Sequence, residues 1–389
     1  MRYINRLIGK EILHASRAFP ALLVTGPRRA GKTVLLEKLF PKASYYLLED
    51  PDIIARIKAD PRSFTEEIKP PCILDEIQNV PELFNYLRTR IDEKPSRFGQ
   101  WYFTGSQDAP LMKGVSESMA GRVAVFQLFL LSVEEDARVS LSGGGFPEAL
   151  ARPKAASIWF SSYIQTYLER DVRAISAIKD LSLFRRFLSI LASRCGAVLN
   201  KTDIAAPLGV SVPALAEWIN ILEITGQIIV VPPFYENFGK RLIKSPKIYF
   251  TDSGLASHLL GIETASALRK SPFLGQIFEG FVASEIAKHQ INRGKRRQIY
   301  YFRGQQGLEV DFIVPGASGK IIMIEAKAAR SVNPAMCVPL NKLARAVSRY
   351  KVEKYLVHLQ PPNGTKHGIR CLFPGIKAVS VSDIGAQLI

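Results

Sequence analysis

Gly26-Pro27-Arg28-Arg29-Ala30-Gly31-Lys32-Thr33 follows the apolar run Ala21-Leu22-Leu23-Val24 and opens an apolar-periodic stretch, Val34, Leu35, Leu36 and Leu39. The order is strand, glycine-rich turn, helix. Glycines let such a turn curl until its backbone N–H groups surround phosphate oxygens, and the following helix adds its positive end. The spacing predicts that Gly26, Pro27, Arg28, Arg29, Ala30, Gly31, Lys32, Thr33 and Val34 line a nucleotide site. In that site Lys32 reaches the outer phosphates and the Thr33 hydroxyl ligates Mg²⁺. The expected cofactors are therefore ATP and Mg²⁺. GTP fits the loop equally, but no Asn-Lys-x-Asp guanine-reading string is present.

A metal held by Thr33 needs an acid at the end of a neighbouring buried strand. Cys72-Ile73-Leu74-Asp75-Glu76 provides one. Asp75 is the expected metal partner, and Glu76 is placed to polarise the attacking water. The competing reading is two exposed acids after a strand. Trp101-Tyr102-Phe103-Thr104-Gly105-Ser106 is the next strand, and Ser106 or Thr104 at its end is a candidate sensor of the γ-phosphate; simple turn chemistry is the alternative. Arg122, before the fifth strand, offers either a guanidinium to a phosphate of a neighbouring protomer or a surface ion pair.

Composition sets the wider frame. The chain has 389 residues, 47% of them hydrophobic, and a formal net charge of +17. Length predicts two or three domains. Charge of this size and sign suggests a polyanionic partner, with DNA favoured over an anionic membrane. The longest apolar run, Val123 to Val133, contains Gln127 and Ser132 and is too short to span a bilayer. Arg2, Arg6, Lys10 and Glu11 leave no apolar signal core near Met1. Cys72, Cys195, Cys337 and Cys371 are scattered, without a C-x-x-C pair. A cytoplasmic protein with no membrane association is the expectation.

Strands expected at Ala21–Thr25, Ser44–Leu48, Cys72–Asp75, Gln100–Thr104 and Val123–Leu128 alternate with helical patterns, which implies a parallel sheet covered by helices. The stretch Gly143-Gly144-Gly145-Phe146-Pro147 breaks the pattern and predicts the exit from this domain. Helices are expected over Ala155–Ile178 and Leu181–Cys195. Asn200 to Ser211 and then Val212 to Glu223 read as two helices joined by a Gly-containing turn, followed by strands at Ile228–Val231 and Lys247–Phe250. Lys240, Arg241 and Lys244 lie between those strands, as on the wing of a winged helix. Packing between domains is the competing use, because Leu215, Trp218, Ile219 and Leu222 make the second helix largely apolar.

The last part joins a helix, Phe273–Gln290, to strands at Gln298–Phe302, Leu308–Val314, Ile321–Ala326 and Lys354–His358. Side chains alternate along strands, so Glu325 and Lys327 share a face that Asp311 meets from the neighbouring strand. Glu279 on the helix adds a third carboxylate. Such a set can hold Mg²⁺ for phosphodiester attack, or persist as a fold after the chemistry is lost. Arg293, Lys295, Arg296 and Arg297 either track a nucleic-acid backbone or form a solvated loop.

Taken together, Gly26–Thr33, Ile73–Gln78, Phe103–Ser106, Gly121-Arg122, Gly144–Glu148 and Tyr163–Val172 resemble the bacterial and archaeal AAA+ ATPases of the AAA_14 type that carry a DUF4143 region. The resemblance implies an α/β fold: a P-loop NTPase core at 1–155, a helical linker and winged-helix domain at 156–265, and a small α/β nuclease-like domain at 266–389. Asp311, Glu325 and Lys327 fall on the motif positions of the PD-(D/E)xK nuclease core, with Glu279 on the preceding helix. The resemblance also implies oligomers with shared sites, although no second arginine sensor is found. The expected function is ATP hydrolysis that controls a C-terminal DNA-binding or nuclease-like part. The alternatives are a nucleotide-dependent scaffold for protein partners and an ATP-licensed endonuclease.

Overall fold

A computed structural model describes residues 3–388 apart from 106–113, 116, 169–179, 235–244, 305, 348, 360–369 and 374; at 167–168 and 370–373 only the backbone is described. The candidate sensor Ser106, the Glu169–Val172 stretch and the basic loop residues Lys240, Arg241 and Lys244 lie outside the described residues. The chain divides into two compact units where the sequence suggests three domains. The first comprises Met1–Leu130, Ile224–Gly226 and Ile291–Lys295, and the second the remainder. The first unit runs to Leu130, and the glycine-rich stretch lies in the second.

In the first unit, β1 (Ala21–Thr25), β2 (Ser44–Leu47), β3 (Cys72–Asp75), β4 (Trp101–Gly105) and β5 (Val123–Gln127) form one sheet in the order β2-β3-β4-β1-β5. Every neighbouring pair is parallel. β1 and β4 are central and buried along their whole length, which is why both read as unbroken apolar runs rather than alternating ones. Parallel neighbours demand crossovers, and the helices Lys32–Leu39, Pro51–Ala59, Pro61–Glu67 and Leu83–Glu93 lie in them. Leu23, Leu74, Leu87, Phe84 and Phe103 are fully buried in the core beneath one face. Phe84 and Phe103 meet edge to face with centroids 5.4 Å apart. Truncating either ring to alanine removes about 3–5 kcal/mol, the usual cost of emptying a well-packed aromatic site.

The β3–β4–β1 arrangement has a direct consequence for function. All five strands point the same way, so the residues after β1 and β3 emerge at one edge of the sheet. With strand order reversing between β1's two neighbours, that edge is where ligands of open α/β sheets bind.

The second unit holds two sheets. β6 (Ile228–Val231) and β7 (Lys247–Phe250) pair antiparallel, with Val231 opposite Lys247. They follow three helices, Leu181–Ser193, Lys201–Ala205 and Val212–Ile224. The segments Lys201–Leu208 and Val212–Ile224 meet at 108°, and Gly209 forms the turn at φ 65°. The first helix of this group is capped by Asp180 and the second by Asn200, whose side chains accept two backbone N–H bonds each. The expected two-helix-and-hairpin order is therefore present, while its use is a separate matter. On Val212–Ile224, Leu215, Trp218, Ile219, Ile221 and Leu222 are buried. Its exposed positions include Val212, Pro213, Glu217 and Asn220, with no cation among them.

The larger sheet contains β8 (Tyr300–Arg303), β9 (Glu309–Pro315), β10 (Lys320–Lys327), β11 (Lys351–His358), β12 (Arg370–Phe373) and β13 (Ile376–Ser380), ordered β12-β13-β11-β10-β9-β8. β9 and β10 form a hairpin; β10 and β11 are parallel, joined through the helix Val338–Ala346. β12 and β13 were not expected from the sequence. The helix Leu274–Ile291 precedes the sheet.

The glycine-rich stretch has a packing role in this unit. Asp252, buried, accepts hydrogen bonds from the backbone N–H of Gly145 at 2.6 Å and of Leu255 at 2.8 Å. It ties the Gly143–Gly145 turn to the start of the helix Ser253–Leu259. Burial pushes the Asp252 carboxyl above its ordinary range, opposed by those N–H bonds.

Candidate active site

The loop Gly26–Gly31 leaves β1 at the shared strand edge and enters the helix Lys32–Leu39. Its path depends on glycine at the first position. Gly26 has φ 140°, and a Cβ there would stand 2.1 Å from the carbonyl oxygen of Leu128. No other residue fits. The loop is braced from inside by Arg6, a buried guanidinium that donates to the carbonyls of Ala30 at 2.9 Å and Phe129 at 2.6 Å. Planar and permanently charged, Arg6 can satisfy several carbonyls at once. On the other side, Gly226 has φ 72°, and a Cβ on it would lie 2.9 Å from Cγ of Pro27.

Within the loop, Lys32 is buried and its Nζ donates to the carbonyls of Gly26 at 3.1 Å and Pro27 at 3.2 Å. Its ammonium therefore lies in the concavity that backbone N–H groups of such a turn surround. Arg28 stands 3.6 Å from Glu49, Arg29 is exposed at φ 62°, and Val34 is exposed on the first turn of the helix. Thr33 Oγ1 donates to Asp75, at 2.9 Å from Oδ1 and 3.0 Å from Oδ2. Asp75 also accepts from the hydroxyls of Tyr45, at 2.8 Å, and Thr104.

One carboxylate thus faces three hydroxyls at the mouth of the loop. A hydroxyl and a carboxylate from these two positions form the oxygen-only donor set that Mg²⁺ prefers, so Thr33 and Asp75 fit the metal expected beside a triphosphate. Glu76 follows with φ 59° and ψ 48°, a left-handed conformation that costs a non-glycine residue of order 1–3 kcal/mol. Its backbone N–H is held by Thr104 Oγ1 at 3.0 Å, and its carboxylate is held by Gln78. The bend turns Glu76 out of the strand, next to Asp75.

Thr104 is fully buried and engaged with Asp75 and Glu76, so it positions the acids rather than presenting itself to a phosphate. Arg122 is not at this edge. Its carbonyl accepts from Ala21 N–H at the start of β1, whereas the loop follows the end of β1. Five residues of strand separate the two, about 13 Å at the usual rise. Its guanidinium forms a bidentate pair with Asp92, at 2.6 and 2.9 Å. Arg122 therefore has no route to the phosphates of its own chain.

Arg6 and Tyr45 are the site residues that sequence reasoning missed. Arg6 sits in a segment notable only for its charges, and Tyr45 in a strand whose exposed pattern carries no signature. Neither has a spacing relation to the loop that could have revealed it.

The second unit brings together the other predicted set. Lys327 Nζ lies 2.6 Å from Glu325 Oε1, and Asp311 Oδ2 accepts from Ala326 N–H at 2.8 Å. Glu279 accepts from Tyr249 and from Lys247, whose Nζ is 2.9 Å away. Lys247 also reaches Glu309 at 2.6 Å. Burial, then the neighbouring Glu279 and Glu325 carboxylates, raise the Asp311 carboxyl well above its ordinary range. Glu279, Glu325, Lys327 and Lys247 all act on the charge of Asp311. Among the described residues, however, no three His, Cys, Asp or Glu side chains are placed to hold a metal ion.

A parallel sheet ordered β2-β3-β4-β1-β5, with a phosphate loop after β1 and an acid pair after β3, defines a P-loop nucleoside-triphosphatase core of the AAA type. The comparisons agree. Residues 18–136 match the AAA_14 family (AAA domain), residues 134–266 a domain of unknown function, DUF8612, and residues 274–370 another, DUF4143. An uncharacterized protein of Mycobacterium bovis and one of Mycobacterium tuberculosis are each 34% identical over 304 residues, 76% of this chain and 67% of theirs. The chain belongs to this family of AAA-domain proteins with a DUF4143 region. Among solved structures, the Walker-type ATPase PABY2304 of Pyrococcus abyssi is similar over 65% of this chain and 94% of its own, at 14% identity and a TM-score of 0.45. A RuvB variant of Thermotoga maritima covers 59% of this chain and 90% of its own, at 16% identity and a TM-score of 0.31. No single helix among the described residues is long and apolar enough to cross a membrane.

Proposed function

We propose that the protein binds ATP with Mg²⁺ and hydrolyses it, and that the nucleotide state governs what the second unit binds. The observation that carries the reading is Thr33 Oγ1 held on both oxygens of Asp75, with the ammonium of Lys32 buried against the carbonyls of Gly26 and Pro27. When bound, Mg²⁺ supplies neutralising charge to the phosphates. Thr33 and Asp75 hold it, directly or through water. Lys32 contributes its ammonium to the outer phosphates, and Glu76, turned out of the strand, orients the attacking water. Gly26, Pro27, Arg28, Arg29, Ala30, Gly31 and Val34 shape the loop and its exit. Steady-state phosphate release tests this: Lys32→Ala should abolish turnover, and hydrolysis at the wild-type rate would sink the enzyme reading.

For the second unit the reading is a DNA-contacting module, supported by the net charge of +17 and by the two-helix-and-hairpin order. Contacts of this kind go to phosphates, because the exposed face of Val212–Ile224 offers Glu217 and Asn220 and no cation. That same face favours a second reading, a nucleotide-dependent scaffold for a protein partner. Retention of duplex DNA at rising salt separates them. Phosphate contacts predict steep loss with salt through counterion release. No retention at low salt, with or without ATP, leaves the scaffold.

A further inference from the structure

β7 places a buried lysine against the carboxylates of the second unit. Lys247 is 1% exposed, on a strand otherwise composed of Ile248, Tyr249 and Phe250. An ammonium this deep in an apolar strand persists only with carboxylate partners. It has them: Nζ lies 2.9 Å from Glu279 Oε1 and 2.6 Å from Glu309 Oε1, and 5.4 Å from the centre of the Tyr301 ring. Burial by itself lowers the Lys247 pKa, and the charges of Glu279, Asp311 and Glu309 outweigh it, so the group stays protonated.

The other carboxylates of the cluster each have a donor on one oxygen. Lys327 holds Glu325, the Ala326 N–H holds Asp311, and the Tyr249 hydroxyl adds a second donor to Glu279. One buried oxygen, Glu325 Oε2, has no hydrogen-bond partner. The ammonium groups of Lys247 and Lys327 occupy Glu279 Oε1 and Glu325 Oε1, oxygens that a divalent ion would otherwise take, and they repel a further cation beside them.

We infer that the Glu279–Asp311–Glu325 cluster takes no divalent metal because Lys247 supplies its positive charge from within, making the module an inherited nuclease core held shut by a lysine. Nothing in this depends on ATP turnover at Lys32, so the two readings fail separately.

The test is a Mn²⁺ titration of the full chain, with free Mn²⁺ read by electron paramagnetic resonance. Wild type, Asp311→Asn and Glu325→Gln should bind the same number of equivalents. A Mn²⁺ equivalent held by wild type and missing from either variant would overturn the inference. A second arm reads thermal unfolding. Lys247→Met should lower the midpoint by roughly 10 °C, since it strands buried carboxylates, and Glu279→Gln with Glu309→Gln added to it should restore most of the loss. A Lys247→Met chain as stable as wild type, or a triple variant no better than the single one, would overturn it as well. The first arm needs no lysine variant to fold.

Discussion

Thr33 and Asp75, 42 residues apart in sequence, are joined by one hydroxyl that donates to both oxygens of one carboxylate, at 2.9 and 3.0 Å. The pairing orients the Asp75 carboxylate, the metal holder under the proposed function, without any metal present. Tyr45 and Thr104 hold the same carboxylate, so its orientation is fixed from three elements. Asp75→Asn keeps the shape and removes the charge. Its expected effect is a drop in kcat of about 10²–10³-fold, in line with losing one preorganised charged contact, with the loss of Mg²⁺-dependent tightening of nucleotide binding. Steady-state phosphate release and a fluorescent-nucleotide titration with and without Mg²⁺ check both. Unchanged Mg²⁺ dependence would place the metal elsewhere.

Glu76 carries a different prediction because its left-handed backbone aims the carboxylate away from the strand. Glu76→Gln should retain ATP binding while turnover falls by about 10²–10⁴-fold, the range for removing a general base. If binding and turnover fall together, Glu76 serves the loop's structure instead.

Much of this was readable beforehand, for identifiable reasons. β1, β3 and β4 are central in a parallel sheet and so appear as plain apolar runs, which is what makes Ala21–Thr25 and Cys72–Asp75 legible. The loop is legible because phosphate binding fixes residue type at fixed spacing. Arg6, Tyr45 and Lys247 act through tertiary approach, from segments 24, 30 and 32 residues from the groups they hold, and no local pattern encodes that. Arg122 was legible as an arginine before a strand, and the surface ion pair read as one of its two uses is the bidentate contact with Asp92. The glycines before Phe146 were legible as a break in the strand pattern, whereas their tie through Asp252 to the helix Ser253–Leu259 was not.

Gly226 tests whether the turn against Pro27 matters to the nucleotide. A methyl group there meets the Pro27 ring at 2.9 Å, and φ 72° adds the strain of a left-handed residue, about 1–2 kcal/mol. Gly226→Ala should therefore weaken ATP binding several-fold. Gly209→Ala is the control, since it has φ 65° and open space around it: the same strain, no contact with the loop, and unchanged affinity. Equal affinities for the two variants would show that the turn does not shape the site.

Thiol chemistry offers a test of burial in both units. Burial pushes the Cys72 thiol from an ordinary 9.0 up to about 12, and Cys195 likewise. The sign matters: the raised value leaves the neutral thiol dominant below it, so near pH 8 the thiolate is about a thousandfold scarcer than for a free cysteine. Access is closed as well, since both residues are buried in the folded chain. Iodoacetamide at pH 8, followed by peptide mass mapping, should leave Cys72 and Cys195 unmodified over times that fully label the urea-unfolded protein. Raising the labelling pH toward 9 should increase native-state reaction at these two positions only through unfolding, in step with the loss of tryptophan fluorescence. Rapid labelling of Cys72 in folded protein would mean that β3 opens locally, and the acid pair at its end would then be less fixed than its hydrogen bonds imply.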